Sequence, residues 1–118
     1  MIMEQDVTAK LDPRKERLHI IINEEVTSTQ VPELRQRFKQ ILDDYELDNW
    51  KALYLDMRNT RVVDSMGVNW LYAESLRLKE DNKTFVVRIS SPAINRVFAF
   101  AGLDKIVTLK YRRRKQTR

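Results

Sequence analysis

Residues 52–71, Ala52-Leu53-Tyr54-Leu55-Asp56-Met57-Arg58-Asn59-Thr60-Arg61-Val62-Val63-Asp64-Ser65-Met66-Gly67-Val68-Asn69-Trp70-Leu71, change character midway. Ala52 to Leu55 is a short continuous apolar run, the pattern of a strand covered on both faces, and Val62-Val63 extends it briefly after the polar Arg58 to Arg61. From Ser65 toward Lys79, Val68, Leu71, Tyr72 and Leu76 recur at three- and four-residue spacing, as on one face of a helix. A strand that hands over to a helix at Asp64-Ser65 is the step from which α/β domains are built.

Upstream, Arg17-Leu18-His19-Ile20-Ile21-Ile22 is short and β-branched, Asp12-Pro13-Arg14 before it reads as a turn, and Val7 to Leu11 pairs with it as an edge strand. Ser28 and Thr29 offer hydroxyls to cap a helix in which Pro32 falls early, where a missing N–H does little harm. Val31, Leu34, Phe38, Ile41, Leu42 and Tyr45 then form one apolar helical face. Downstream, Thr84 to Ile89 reads as a strand. Ser91 and Pro92 start a third helix carrying Ile94, Val97, Phe98 and Ala101, Gly102 stops it, and Ile106 to Leu109 is the last strand. Two strands followed by alternating helices and strands predict a largely parallel, mixed sheet of four to five strands with three helices and right-handed crossovers.

At 118 residues the chain fits one domain, here 1–111, followed by a basic tail over 112–118. Five of that tail's residues, Arg112, Arg113, Arg114, Lys115 and Arg118, account for the whole net charge of +5, so residues 1–111 are neutral. A nucleic-acid partner, which a pI of 9.6 would otherwise suggest, is therefore not expected, and the tail reads as solvated and disordered. No apolar run approaches the ~20 residues needed to cross a bilayer, and Met1 to Lys10 lacks the apolar centre of a signal peptide, so a cytoplasmic protein with no membrane association is expected. The chain has no cysteine and one histidine, His19, which predicts neither a metal site nor a cofactor. His19 also has no motif linking it to a serine nucleophile, and there is neither a nucleophile elbow nor a phosphate-binding glycine loop, so an enzyme is not expected.

Two segments carry a family resemblance: Leu55-Asp56 through Val63-Asp64-Ser65-Met66-Gly67-Val68-Asn69-Trp70-Leu71, and Ser91-Pro92-Ala93-Ile94-Asn95-Arg96-Val97-Phe98 through Ala101-Gly102-Leu103. Over roughly residues 7 to 111 the chain resembles the STAS domain of bacterial anti-sigma factor antagonists, and its only two glycines, Gly67 and Gly102, fall at the motif's glycine positions. The resemblance implies a protein that binds an anti-sigma factor with serine kinase activity and so frees a sigma factor. The kinase would phosphorylate Ser65 and break the complex, and a phosphatase would restore it. STAS subunits of lipid-import ABC transporters and of stress-signalling scaffolds carry similar motifs, and a homodimer is compatible with either role.

The physical reading of these residues fits a switch. A phosphate on Ser65 would meet the N–H groups and dipole of a helix start, leaving the domain folded. It would also add about −1.5 to −2 of charge beside Asp64 and near Asp56, repelling whatever is docked there. Gly67, lacking a side chain, would let a partner approach Ser65 closely. Centring the helix on Val68, Leu71, Tyr72 and Leu76 turns Met66, Trp70 and Arg77 outward, making Met66 and Trp70 candidate partner anchors; if another helix covers Trp70, it is core instead. The resemblance departs at Glu24-Glu25-Val26-Thr27, where the family carries Gly-acidic-apolar-Asp in a loop that contacts the kinase. Glu25 and Thr27 are the candidate contacts from this altered loop.

Overall fold

The computed structural model describes residues 3–113. Five strands, β1 (Val7–Asp12), β2 (Arg17–Ile22), β3 (Ala52–Asp56), β4 (Thr84–Ile89) and β5 (Thr108–Tyr111), lie side by side in chain order. The β1–β2 hairpin is antiparallel and every later pairing is parallel. Helices α1 (Val31–Asp44), α2 (Ser65–Glu80) and α3 (Pro92–Phe100) fill the crossovers. The domain is thus a mixed α/β unit with three helices, as the alternating pattern predicts.

Local chemistry sets the joints. Asp12 Oδ1 accepts the Lys15 N–H at 3.3 Å in the hairpin turn, which closes through Glu16 at φ 53°. Asn82, at φ 56°, takes the left-handed position beyond α2, where the Lys83 N–H returns to the Leu78 carbonyl at 2.9 Å. Ser91 Oγ caps α3 by accepting the Ile94 N–H at 3.2 Å, and Gly102, at φ 75°, ends it.

Two expected details differ. Neither Ser28 nor Thr29 caps α1; the Thr27 carbonyl accepts the N–H groups of Gln30 and Val31, so a tight turn precedes the helix and takes over the cap's role. The last strand begins at Thr108 rather than Ile106, because a 3₁₀ turn over Leu103–Lys105 draws the Val107 N–H back to the Leu103 carbonyl at 3.0 Å. Beyond Tyr111, the Arg112 N–H still bonds the Ile89 carbonyl at 3.1 Å; residues 114–118 of the basic tail lie outside the described residues.

All three helices bury their apolar faces in one cluster with Leu18, Ile20, Ile22, Leu53, Leu55, Phe85, Val87 and Ile89. The side chains that alternate with these point to the other face of the sheet. There Tyr54 is buried outside that cluster, under the cationic side chains of neighbouring strands. The continuous apolar run of β3 therefore reflects Tyr54 beneath cationic side chains, not a second helical layer.

The phase of α2 also differs from the expected one. Trp70 is 1% exposed and meets Phe38 of α1 edge-on, with ring centroids 5.4 Å apart and an interplanar angle of 84°. Tyr72 and Leu76 are exposed instead. The buried face runs through Gly67, Trp70, Leu71, Glu74, Ser75 and Leu78. Trp70 is a core residue, which removes it from the candidate partner anchors.

Candidate functional site

Two loops are zipped together to build the ground on which Ser65 stands. The segment between β2 and α1 runs beside that between β3 and α2, and Val26 forms a parallel bridge with Val63. The Asn59 side-chain amide donates to Asn23 Oδ1 at 2.7 Å, and the buried Thr60 hydroxyl donates to the Glu24 carbonyl at 3.0 Å. The Val26 N–H bonds the Val62 carbonyl at 3.0 Å, and the Asp64 N–H bonds the Val26 carbonyl at 3.3 Å.

Asp64 locks this zipper to α2. Its Oδ1 accepts the Gly67 N–H at 3.0 Å as the N-cap, and its Oδ2 accepts the Ser28 N–H of the neighbouring loop at 2.7 Å. The N–H groups of Ser28 and Gly67 hold its carboxyl below the usual carboxylate range. Ser65 is the first residue of α2, exposed, and its hydroxyl has no hydrogen-bond partner among the described residues. The capping role that a serine at a helix start ordinarily plays thus falls to Asp64, which leaves the Ser65 oxygen free for chemistry.

Gly67 serves the inside of the protein. A Cβ there would run into the Val26 carbonyl oxygen and crowd Val26 Cγ1 at 2.9 Å and Val63 Cγ1 at 3.0 Å. Its missing side chain makes room for the molecule's own loop, so the expected approach of a partner over Gly67 is replaced by an internal contact.

Met66, 46% exposed, stands beside Ser65 as expected. Glu25 and Thr27 flank the buried Val26 in the zipped loop, which brings them to the same end of the molecule. Thr27 turns inward: its hydroxyl and its N–H both engage Gln30 Oε1, and one Glu25 carboxylate oxygen is shielded from solvent. Asp56 does not join the serine. Its carboxylate grips Arg58 in a two-pronged pair, at 2.9 Å to Nε and 2.7 Å to Nη2, and lines a separate depression with His19, Tyr54 and Arg88. Burial pushes the Asp56 carboxyl up, but hydrogen bonds from Arg58 and its charge outweigh this and hold it below its ordinary value.

One feature of the site escaped the sequence reading. Between α2 and α3 runs an apolar groove of about 730 Å³ whose walls include Val63, Ser65, Val68, Arg96, Val97 and Phe100. Phe100 is 97% exposed, and Val97, carried on the same helix as the buried Ile94 and Phe98, is exposed as well. The available signal was the spacing of Phe98 and Phe100: residues two apart in a helix point to opposite sides, so a buried Phe98 puts Phe100 outside. Among the described residues no group of three His, Cys, Asp or Glu side chains could hold a metal ion, and no helix is long and apolar enough to cross a membrane.

Solved structures with this architecture include several named as anti-sigma factor antagonists. A putatively assigned anti-sigma factor antagonist from Thermotoga maritima superposes with a TM-score of 0.73 at 15% identity, over 90% of this chain and 86% of that one. An anti-sigma factor antagonist from Mycobacterium paratuberculosis gives 0.71 at 22% identity, over 93% and 90%. The anti-sigma factor antagonist SpoIIAA in its unphosphorylated form gives 0.68 at 16% identity, over 90% and 87%. The phosphorylated form of SpoIIAA, a Bacillus cell fate determinant, gives 0.63 at 16% identity, over 90% of each chain. At these identities the likeness establishes the fold. No curated protein sequence matches the chain. The family model described as "Mlab, STAS domain" matches residues 9–108, so the chain belongs to the STAS domain family.

Proposed function

We propose that this protein is an anti-sigma factor antagonist whose partner docks over Ser65 and the groove between α2 and α3, and that phosphorylation of Ser65 expels the partner. The observation that carries the reading is the uncommitted Ser65 hydroxyl at the first position of α2, on the rim of an exposed apolar groove, with its capping role taken by Asp64. Phe100 and Val97 stand exposed in this groove, and an exposed apolar patch of this kind marks an interaction surface.

The switch follows from charge. Asp64 is held ionised by the N–H groups of Ser28 and Gly67, so a phosphoserine next to it adds about −1.5 to −2 of charge to a site already carrying one negative charge. A partner covering the groove would have to desolvate both. The domain itself survives, because the new phosphate stays in water at a helix N-terminus. The partner of this reading is an anti-sigma factor with serine kinase activity, and a phosphatase acting on Ser65 returns the protein to its binding form. The altered loop at Glu24 to Thr27, with Thr27 bonded inward, shifts partner contact from that loop toward Met66, Val97 and Phe100.

A second reading is favoured by the Mlab description of the family model: the same surface holds the ATPase subunit of a lipid-import transporter. Affinity capture with the parent protein and with Ser65→Asp separates the two, with mass spectrometry of the captured proteins and of Ser65. Capture of an anti-sigma kinase by the parent alone, with phosphate on Ser65 in cells, is the expected result. Capture of a transporter ATPase by both baits overturns the antagonist reading.

A further inference from the structure

The face of the sheet opposite the helices carries a concentration of positive charge that the Ser65 site does not use. Strand register puts Lys10, His19 and Tyr54 in one row across β1, β2 and β3, and places Arg88 of β4 directly opposite Lys110 of β5 in the next. Like charges so paired destabilise a sheet. Arg17, Arg88 and Lys110 converge on the Tyr54 ring, at 4.5, 5.4 and 5.7 Å from its centroid. The ring's negative face offsets part of their repulsion.

Acids offset only part of the rest: Asp12 stands opposite Arg17 and Asp56 opposite Arg88 in register. Among the described residues none of Lys10, Arg17, Arg88 and Lys110 forms an ion pair. Asp56, in the row of Arg88, has both carboxylate oxygens on Arg58. Residues 1–111 are neutral in sum, so this surface is positive because charge has been segregated to it. On this face lies a depression of about 380 Å³ lined by Lys10, His19, Tyr54 and Arg88 together with Thr8 and the Asp56–Arg58 pair.

We propose that this depression binds a small phosphorylated molecule, with its phosphate seated between Lys10, His19 and Arg88 in the field of Arg17 and Lys110. A guanidinium and an ammonium together match the oxygens of a multiply charged phosphate, and a planar fork beside a point charge favours phosphate over a single carboxylate. A depression of this volume fits a metabolite-sized ligand. This site is independent of the Ser65 reading and stands or falls separately from it.

His19 reports on occupancy, because it is the chain's only histidine. Burial first, then Arg88, lowers its pKa; Asp12 opposes this, and Arg17 and Lys15 lower it further. A bound phosphate stabilises the imidazolium and raises that pKa. The test is an NMR titration of the His19 ring in the full chain with inorganic pyrophosphate as probe, repeated with Lys10→Gln/Arg88→Gln, which keeps long side chains over the sheet. Lys79→Gln/Lys105→Gln, on α2 and the 3₁₀ turn, removes the same charge elsewhere and serves as control.

Saturable binding that raises the His19 pKa, weakened about tenfold or more in the first variant and unchanged in the control, is the expected result, a difference of about 1.4 kcal/mol. No movement of the His19 titration overturns the proposal. So does equal weakening in both variants, which would reflect net charge alone. Sedimentation with phosphatidylglycerol vesicles in the absence of pyrophosphate binding also overturns it, in favour of a membrane surface.

Discussion

Single residues at the start of α2 divide the labour that a sequence motif presents as one unit. Asp64 caps the helix and fastens the neighbouring loop, Gly67 lets that loop come close, and Ser65 is left free. Gly67→Ala forces Val26 aside, and overpacking of this kind costs about 1–3 kcal/mol. Urea denaturation should register that loss, together with weakened partner binding, because the same loop supports Ser65. Ionisation adds two opposite pH signatures. Asp64 has a folded pKa below its unfolded one, so its contribution is present above about pH 4 and is lost as pH falls through the folded value. Glu74, buried on α2, is the reverse: burial raises its pKa, against Arg77, Trp70 and Arg35, so its contribution is full below the unfolded pKa and is lost as pH rises through the folded one. Glu74→Gln should therefore gain stability over the parent at pH 7 and lose that advantage near pH 3, read from denaturation midpoints at the two pH values. Equal midpoints at pH 7 would show that the buried carboxylate costs nothing.

At the scale of elements, α2 shows where periodicity fails as a guide. Its apolar residues lie on more than one side, and its buried face includes Glu74 and Ser75, so a face centred on Val68, Leu71, Tyr72 and Leu76 was as regular as the true one. Only the bulk of Trp70 and its fit against Phe38 decide between them. Trp70→Ala should cost about 3–5 kcal/mol of stability through the cavity it leaves, measured by urea denaturation, and a small cost would place the indole outside the core. The groove between α2 and α3 makes the complementary prediction. Phe100→Ser removes an exposed ring, so the denaturation midpoint should move by no more than about 0.5 kcal/mol while partner affinity falls. Strands and their order were legible because β-branched runs bounded by turn residues leave little choice, as Arg17–Ile22 and Thr84–Ile89 illustrate. The start of β5 was not, since a 3₁₀ turn after Gly102 consumes two apolar residues that resemble strand.

The whole molecule places its two candidate surfaces, one apolar and one cationic, by topology. Helices on one side of the sheet bring Ser65, Val97 and Phe100 to one groove, while strand alternation sends Lys10, Arg17, Arg88 and Lys110 to the other face. The sequence allowed the net neutrality of residues 1–111 to be counted, but not the segregation of charge, which depends on the register of four strand pairs. Ser65 itself was legible, because Asp-Ser-x-Gly after an apolar strand puts its serine at a helix start; the groove beside it was not, because α2 and α3 meet only in the fold. The account's central claim is that a negative charge on Ser65 acts on the partner and leaves the domain intact. Titration calorimetry of the captured anti-sigma factor against the parent, Ser65→Ala and Ser65→Asp proteins, with circular dichroism of each, tests it most directly. The account predicts similar affinity for the parent and Ser65→Ala, and a loss of about 100-fold or more, near 3 kcal/mol, for a fully folded Ser65→Asp. Binding by Ser65→Asp as tight as the parent's would contradict it.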